Sequence, residues 1–344
     1  MKEVMTTQIN QAPTTASKVK GLFKNQQFIL VLVLVAMVTF FSLKNNIFFT
    51  TAVFANVLSD WIPVVLMAIG ETFVIITGGI DLSVGSTVGF SGVVAAFAMR
   101  NLTSHNVNQN ETIAIGLLVA IAVGFGIGLI NALLITRARI VPFVATLATL
   151  GAFRGLCIVT TGGGPVGDGP ENAINLTVPK YGPFNGPGIV VVVLVAIIGL
   201  YLHKSRFGRY TYAIGSNSFA ARSAGINVKR HLTKVYILSG MLAGLAGFYL
   251  YLRLSVGSPS SGQSGELDAI AAVVIGGAAL AGGVGRISGT VLGSLILTTV
   301  TSGLIIIGVA PNWKQVVVAL LIAAAVFSQG LRNWKKDCVL QWNE

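Results

Sequence analysis

Five acidic residues lie inside or at the edge of long apolar runs: Asp60, Glu71, Asp81, Glu266 and Asp268. Glu71 is the sharpest of them, because positions 64–76 around it are otherwise apolar apart from glycine and Thr72. An ionisable group at membrane depth is expensive and faces a bundle interior or a wet cavity, so it points to a solute or ion path. A hydrogen-bonded structural Glu is the other reading. Asp81, beside Gly79 and ahead of an apolar run, is equally placed to cap a helix. Glu266 and Asp268 open a further apolar run, where acids also favour the positive end of a helix dipole. Arg154 sits within an apolar run with Thr146 and Thr149 nearby, suited to a hydroxylated or anionic solute or to extending its head towards an interface. With Thr72, Thr77, Ser83, Asn131 and Thr146, these residues form the candidate polar lining of a translocation path: Glu71, Thr72, Thr77, Asp81, Ser83, Asn131, Thr146, Arg154, Glu266 and Asp268.

Other chemistry finds no carrier. No G-x-x-x-x-G-K-[ST] run occurs, and the three histidines and two cysteines show no metal-ligand spacing. No G-x-S-x-G elbow accompanies the serines. No residue is assigned to catalysis, and no ATP, metal or other cofactor site is expected in this chain.

The elements that must hold the polar residues are membrane helices. Hydrophobic residues make up 53% of the chain and charged residues 10%, against about 25% charged in an ordinary soluble domain. That balance excludes a water-soluble protein. The 41 glycines fit close helix packing in lipid. The net charge of +12 does not point to nucleic acid, since the basic residues gather at the ends of apolar spans. Cys157 and Cys338 imply no disulfide framework.

The fold class read from these runs is an all-α polytopic membrane protein of about ten transmembrane helices, some short or broken, with a cytoplasmic coupling helix. The segments are 28–43, 53–77, 82–99, 112–136, 140–160, 188–202, 232–252, 267–281, 287–308 and 313–331. A polar cytoplasmic tail (1–27) precedes this domain (28–331) and another (332–344) follows it. The first span follows the polar tail without a cleavage pattern and reads as retained. With a cytoplasmic amino terminus, all but six of the 23 Lys and Arg fall inside, the six being Lys44, Arg100, Arg154, Lys180, Arg253 and Lys314. Positive-inside bias therefore supports an even number of spans with both termini in the cytoplasm. Trp61, Trp313 and Trp334 stand near the expected interfaces. The longest outer loop, 161–187, is rich in Gly, Pro and Asn and is expected to cap the outer mouth without a core of its own.

The inner loop 203–231, with the first residues of the next segment, carries Lys204, Arg206, Arg209, Arg222, Lys229, Arg230 and Lys234 and no acid. Inside it, Ala213-Ile214-Gly215-Ser216-Asn217-Ser218-Phe219-Ala220-Ala221-Arg222-Ser223-Ala224-Gly225-Ile226 contains a short helix-capable run between glycines, with Ser and Asn as caps. Such an element can dock into a partner. Two glycine-rich breaks share the pattern G-G-x-x-L-x-x-G, one from Gly78 and one from Gly276. Non-helical backbone at membrane depth needs protein or a wet cavity to satisfy it, so the pair suggests an internal duplication lining a pathway. A chance match in a glycine-rich chain is the alternative. The spacings Gly124/Gly128, Gly240/Gly244 and Gly285/Gly289/Gly293 mark packing faces.

Four ordered motifs together resemble the permeases of bacterial monosaccharide ABC importers, of the ribose and xylose type. They are Gly79-Ile80-Asp81-Leu82-Ser83-Val84-Gly85-Ser86, Pro142-Phe143-Val144-Ala145-Thr146-Leu147, Arg206-Phe207-Gly208-Arg209 followed by Ala213-Ile214-Gly215, and Glu266-Leu267-Asp268-Ala269-Ile270-Ala271-Ala272-Val273-Val274-Ile275-Gly276-Gly277. The resemblance spans nearly the whole chain. It implies an inner-membrane permease working as a pair with a second permease subunit, either an identical copy or a paralogue. It further implies a cytoplasmic ATP-binding cassette protein that holds ATP and magnesium, and a secreted sugar-binding protein. Coupling to the ATPase would fall on 215–225, with Arg209, Gly215, Asn217, Ala220, Ala221, Arg222 and Gly225. Lys180 and Arg253 would meet the binding protein, and membrane lipid would surround the bundle. Two positions depart from the family pattern: Glu71, where an apolar residue is usual, and Gly265, where an aromatic commonly precedes Glu-Leu-Asp. The alternatives are a same-family permease for a nucleoside, branched-chain amino acid or furanosyl signal molecule, and an ion-coupled transporter using Glu71 or Asp81.

Overall fold

The computed structural model describes residues 26–310, 313–324 and 326–327. Among the described residues, twelve α-helices run in chain order: α1 Gln26–Lys44, α2 Thr51–Ile76, α3 Val84–Ser104, α4 Gln109–Thr136, α5 Pro142–Thr161, α6 Gly186–Lys204, α7 Arg206–Ser216, α8 Ser218–Ser223, α9 Val228–Leu254, α10 Gly265–Ile275, α11 Ile287–Ile306 and α12 Trp313–Ala324. No strand forms among the described residues, only two isolated bridges. Each of the ten expected segments overlaps a helix, though 267–281 is helical only to Ile275 and the end of 313–331 lies outside the described residues, and seven helices (α1, α2, α4, α5, α6, α9, α11) are long and apolar enough to cross a membrane. α10, at 11 residues, is roughly 16 Å long and spans about half a hydrocarbon core. Most of both tails, with Trp334, lies outside the described residues.

α9 and α2 form the centre, with 72% and 67% of their apolar windows buried, against 11% for the peripheral α1. Water does not drive apolar faces together inside lipid, so contact area between closely approaching backbones has to do so. The glycine spacings supply it. Gly124 and Gly128 of α4 lie on Gly240 and Gly244 of α9, so close that a methyl group on any of the four would strike the opposing backbone. Gly289 and Gly293 of α11 meet Gly276 and Ala272 at the end of α10 in the same way. Gly126, on another face of α4, has open space beside it.

Trp61 is a correction to the interfacial reading. It is buried in α2, and its indole N–H donates to Ser294 Oγ at 2.8 Å. Trp313 is 58% exposed.

The start of α1, the end of α2, the whole of α7 and α8, and the turn between α10 and α11 meet on one face, here the basic face. The loop 161–187, expected to be the longest outer loop, lies across the opposite ends of α4 and α9. Val166 exchanges two backbone hydrogen bonds with Gly257, and Asn172 N–H donates to Gln109 Oε1.

Two segments re-enter the bundle. After α2 the chain turns at Gly78 (φ +82°) and climbs back until Asp81 lies level with Glu71. From the opposite face, 255–264 descends along α3: Gly257 packs on Val93 and Ala96, then Gly262 on Gly85 and Val88. α10 therefore begins inside the bundle, beside Met67 of α2.

Candidate functional site

Three groups of residues carry the functional geometry. The first is a buried polar network that holds the α2–α3 break. Glu71 and Asp81 are 0% and 1% exposed. Glu71 Oε1 accepts the Asp81 N–H at 3.1 Å. Asp81 Oδ1 accepts the Ser83 N–H at 3.0 Å and the Ser83 hydroxyl at 2.6 Å, a turn that leads into α3. Asp81 Oδ2 accepts the Ser239 hydroxyl of α9 at 3.0 Å. Asn131 of α4 donates to Ser83 Oγ at 2.7 Å and accepts from Thr149 of α5 at 2.7 Å. Thr146 donates to the Ile80 carbonyl at 3.1 Å. The break is thus held by side chains of four helices, two of which, α2 and α5, bond its backbone directly. Glu71, Asp81, Ser83, Asn131 and Thr146, read separately from sequence, belong to this one network. The Glu71 Oε2 and Tyr236 hydroxyl oxygens nearby are buried without a hydrogen-bond partner.

Two candidates fall elsewhere. Thr72 shares a hydrogen bond of 2.7 Å with Thr290 of α11, on the other side of α2. Thr77 donates to the Val74 carbonyl where α2 ends.

The second group is a junction on the basic face. The two glycine breaks meet there, with the Gly283 N–H donating to the Ile76 carbonyl at 2.8 Å. Gly215 of α7 presses on that bond, and a Cβ on it would strike both Ile76 O and Gly283 N. The Tyr212 hydroxyl donates to the Gly285 carbonyl at 2.7 Å, and Thr211 pairs with His231 Nε2 of α9 at 2.9 Å. α7 is therefore fastened to the end of α2, to the α10–α11 turn and to α9. From it projects α8. The Asn217 side chain accepts from the Phe219 and Ala220 N–H groups, and Gly225 (φ +83°) turns the chain after it. Ala221 is the buried anchor of α8, packed with Ile214 and Val228. Ala220, Arg222 and Arg209 are exposed, and so is Phe219, at 78%.

The third group surrounds the start of α10. Both acids stand in the first turn of α10, as the dipole reading expects, and each makes a further contact. Asp268 is paired with Lys314 of α12, whose Nζ lies 2.6 Å from Oδ2, while the α10 N-cap, Ser264, makes no side-chain cap bond. Glu266 turns towards Gly85, with Oε2 buried and unbonded. Arg154 turns its guanidinium onto the re-entrant loop. It donates to the Pro259 and Ser261 carbonyls at 2.7 and 2.9 Å, satisfying the re-entrant loop. On the opposite face, Arg253 forms an ion pair with Asp60 at 2.8 Å, and Lys180 is exposed.

Sequence reasoning missed Ser239, Lys314, Tyr212, the Thr211–His231 pair and Phe219. Only Phe219 left a signal, as an aromatic side chain in the middle of a polar, basic stretch. The others act across contacts between residues far apart in the chain.

The family model described as branched-chain amino acid transport system / permease component matches residues 53–326. The ribose import permease protein of Escherichia coli K12 is 40% identical over 309 residues, 89% of this chain and 93% of the relative. That of Bacillus subtilis 168 is 43% identical over 265 residues, 76% and 79% of the two chains. The galactose/methyl galactoside import permease protein of Haemophilus influenzae Rd is 33% identical over 296 residues, 82% and 88%. No solved structure matches the chain. With buried polar residues holding two re-entrant breaks in an all-helical bundle, and a match over most of its length, this chain is a multi-pass membrane protein of that transport permease family.

Proposed function

We propose that this chain is the membrane permease of an ATP-driven importer that brings a monosaccharide, a ribose-like pentose or a related sugar, into the cytoplasm by alternating access. The relatives named for ribose and galactose import support the solute class. The observation that carries the mechanism is the junction at Gly215, where α7, from which the exposed α8 projects, is fastened to α2, to α9 and to the α10–α11 turn. A cytoplasmic ATP-binding cassette partner holds ATP and magnesium and receives α8 in a surface groove. Phe219 and Arg222 face that groove, while Arg209, Asn217, Ala220 and Ala221 shape the element, and Gly215 and Gly225 set its ends. The chain lies in the bacterial inner membrane with the basic face and both termini cytoplasmic.

A second permease subunit, identical or paralogous, faces this one across the path. A secreted sugar-binding protein delivers the solute around Lys180 and Arg253. Closure of the ATPase on ATP draws the two α8 helices together. α7 carries that displacement into α2, α9 and the α10–α11 turn, which reverses the side on which the path is open. ATP biases the equilibrium through its preference for the closed partner.

The proposal is tested by purifying the chain in mild detergent with a tag after Glu344 and identifying what stays bound. Recovery of an ATPase with two P-loop motifs supports it. Absence of any ATPase, even after cross-linking through cysteine at Phe219, contradicts it.

A further inference from the structure

Beside the start of α10 lies a groove of about 470 Å³, walled by α10 and α12. Its size falls within the roughly 300–1,000 Å³ of small-molecule sites. One part is polar: Gln263, Asp268, Lys314 and Gln315. The rest is apolar, formed by Leu267, Val318 and neighbouring aliphatic residues of α12. Gln263 and Gln315 are exposed, and neither amide side chain bonds to another described residue. Asp268 is 6% exposed; Lys314 engages its Oδ2, which leaves Oδ1 and two Lys314 N–H groups for another partner.

Depth gives these features their meaning. The groove begins where the re-entrant loop ends, beside Met67 and Gly85, well inside the bundle. At that depth the unbonded Gln263 amide is too costly to face lipid and belongs on a wet path, while Gln315 stands at the start of α12. In transporters with broken helices, solute sites lie near the bilayer midplane at such half-helix starts.

We infer that this groove is where the solute rests during passage, and that its chemistry fits a neutral polyhydroxylated ring. The closed Asp268–Lys314 pair leaves the groove without net charge. Asp268 Oδ1 accepts from ring hydroxyls, while Lys314 and the two amides donate to their oxygens. Leu267 and Val318 lie against the C–H face of the ring. The inference rests on the importer reading and adds to it the site and the residues that recognise the solute.

The test uses the complete importer in proteoliposomes, with Cys338→Ser as background. Gln315→Cys should react with a charged, membrane-impermeant thiol reagent, and the transported sugar should slow that reaction severalfold. Ala319→Phe, which fills the groove, should lower sugar uptake at least tenfold, while stimulation of ATP hydrolysis by the loaded binding protein stays within twofold. Gln315→Leu, at an exposed position that folding does not depend on, should lower uptake severalfold and decides the matter if Ala319→Phe fails to assemble. Unreactive thiols, thiols that cross-link directly to the second subunit, or variants that carry sugar at the unaltered rate would overturn the site. Protection by a neutral amino acid instead of a sugar would overturn the solute class. Thiol accessibility needs no ATP, so failure of the importer reading, seen as no ATP-driven uptake by the unaltered protein, is separable from failure of the groove.

Discussion

Glu71 illustrates how little a residue's type says about its task. Its place in an apolar run marks it as costly, and the cost is met by one hydrogen bond to a backbone that would otherwise be bare. Glu71→Gln keeps an acceptor for the Asp81 N–H. ATP-driven uptake is expected within twofold of the unaltered protein and stability within about 1 kcal/mol. An abolished uptake with intact fold would make ionisation of Glu71 part of transport. Glu71→Ala leaves that N–H unpaired and opens a void, an expected loss of about 2–4 kcal/mol by denaturation in detergent micelles. Asn131→Leu breaks two hydrogen bonds of the same network. It should cost about 1–2 kcal/mol, in keeping with roughly 0.6 kcal/mol per bond between membrane helices. The sequence marks Glu71, Asp81, Ser83, Asn131 and Thr146 individually as polar groups in apolar surroundings. That they bond to one another depends on the return of the chain after Gly78, which no local spacing encodes.

At the scale of elements, the glycines separate packing from coupling. Gly124 and Gly126 are two residues apart on α4, yet one touches the Gly240 carbonyl and the other touches nothing. Gly124→Leu should therefore lower the yield of folded protein and its melting temperature, a destabilisation of at least about 1–3 kcal/mol. Gly126→Leu should stay within about 0.5 kcal/mol. Equal effects would mean that α4 and α9 do not pack through this face. At the junction, Gly215→Val should force α7 off the Ile76–Gly283 bond. Uptake should fall tenfold or more while the ATPase still copurifies. Phe219→Ala with Arg222→Glu, both on the exposed side of α8, should release the ATPase without altering the melting temperature. The small-residue spacings and the caps of α8 were legible because they are local and periodic. The meeting of the two glycine breaks was not, since it joins positions some 200 residues apart in the chain.

Across the whole molecule, hydropathy and the distribution of Lys and Arg were enough to place ten helical segments, because lipid allows few alternatives to a helix. Half-crossing elements were harder. The run 255–265 reads as an outer loop, and only its contacts with Gly85 and Val88 reveal that it descends into the bundle. The solute left the weakest trace, since the groove inferred for it is formed by residues that meet across α10 and α12 and by no contiguous motif.

The most direct measurement is uptake of radiolabelled ribose, xylose and galactose into proteoliposomes holding this permease with its ATPase and binding protein. ATP inside or outside is varied on the ATPase face, with and without an imposed pH gradient. Accumulation of one of these sugars that requires ATP and both partners, and that ignores the pH gradient, is the expected result. Sugar accumulation driven by the pH gradient with the ATPase absent would contradict ATP-driven import and make an ion-coupled transporter of this chain.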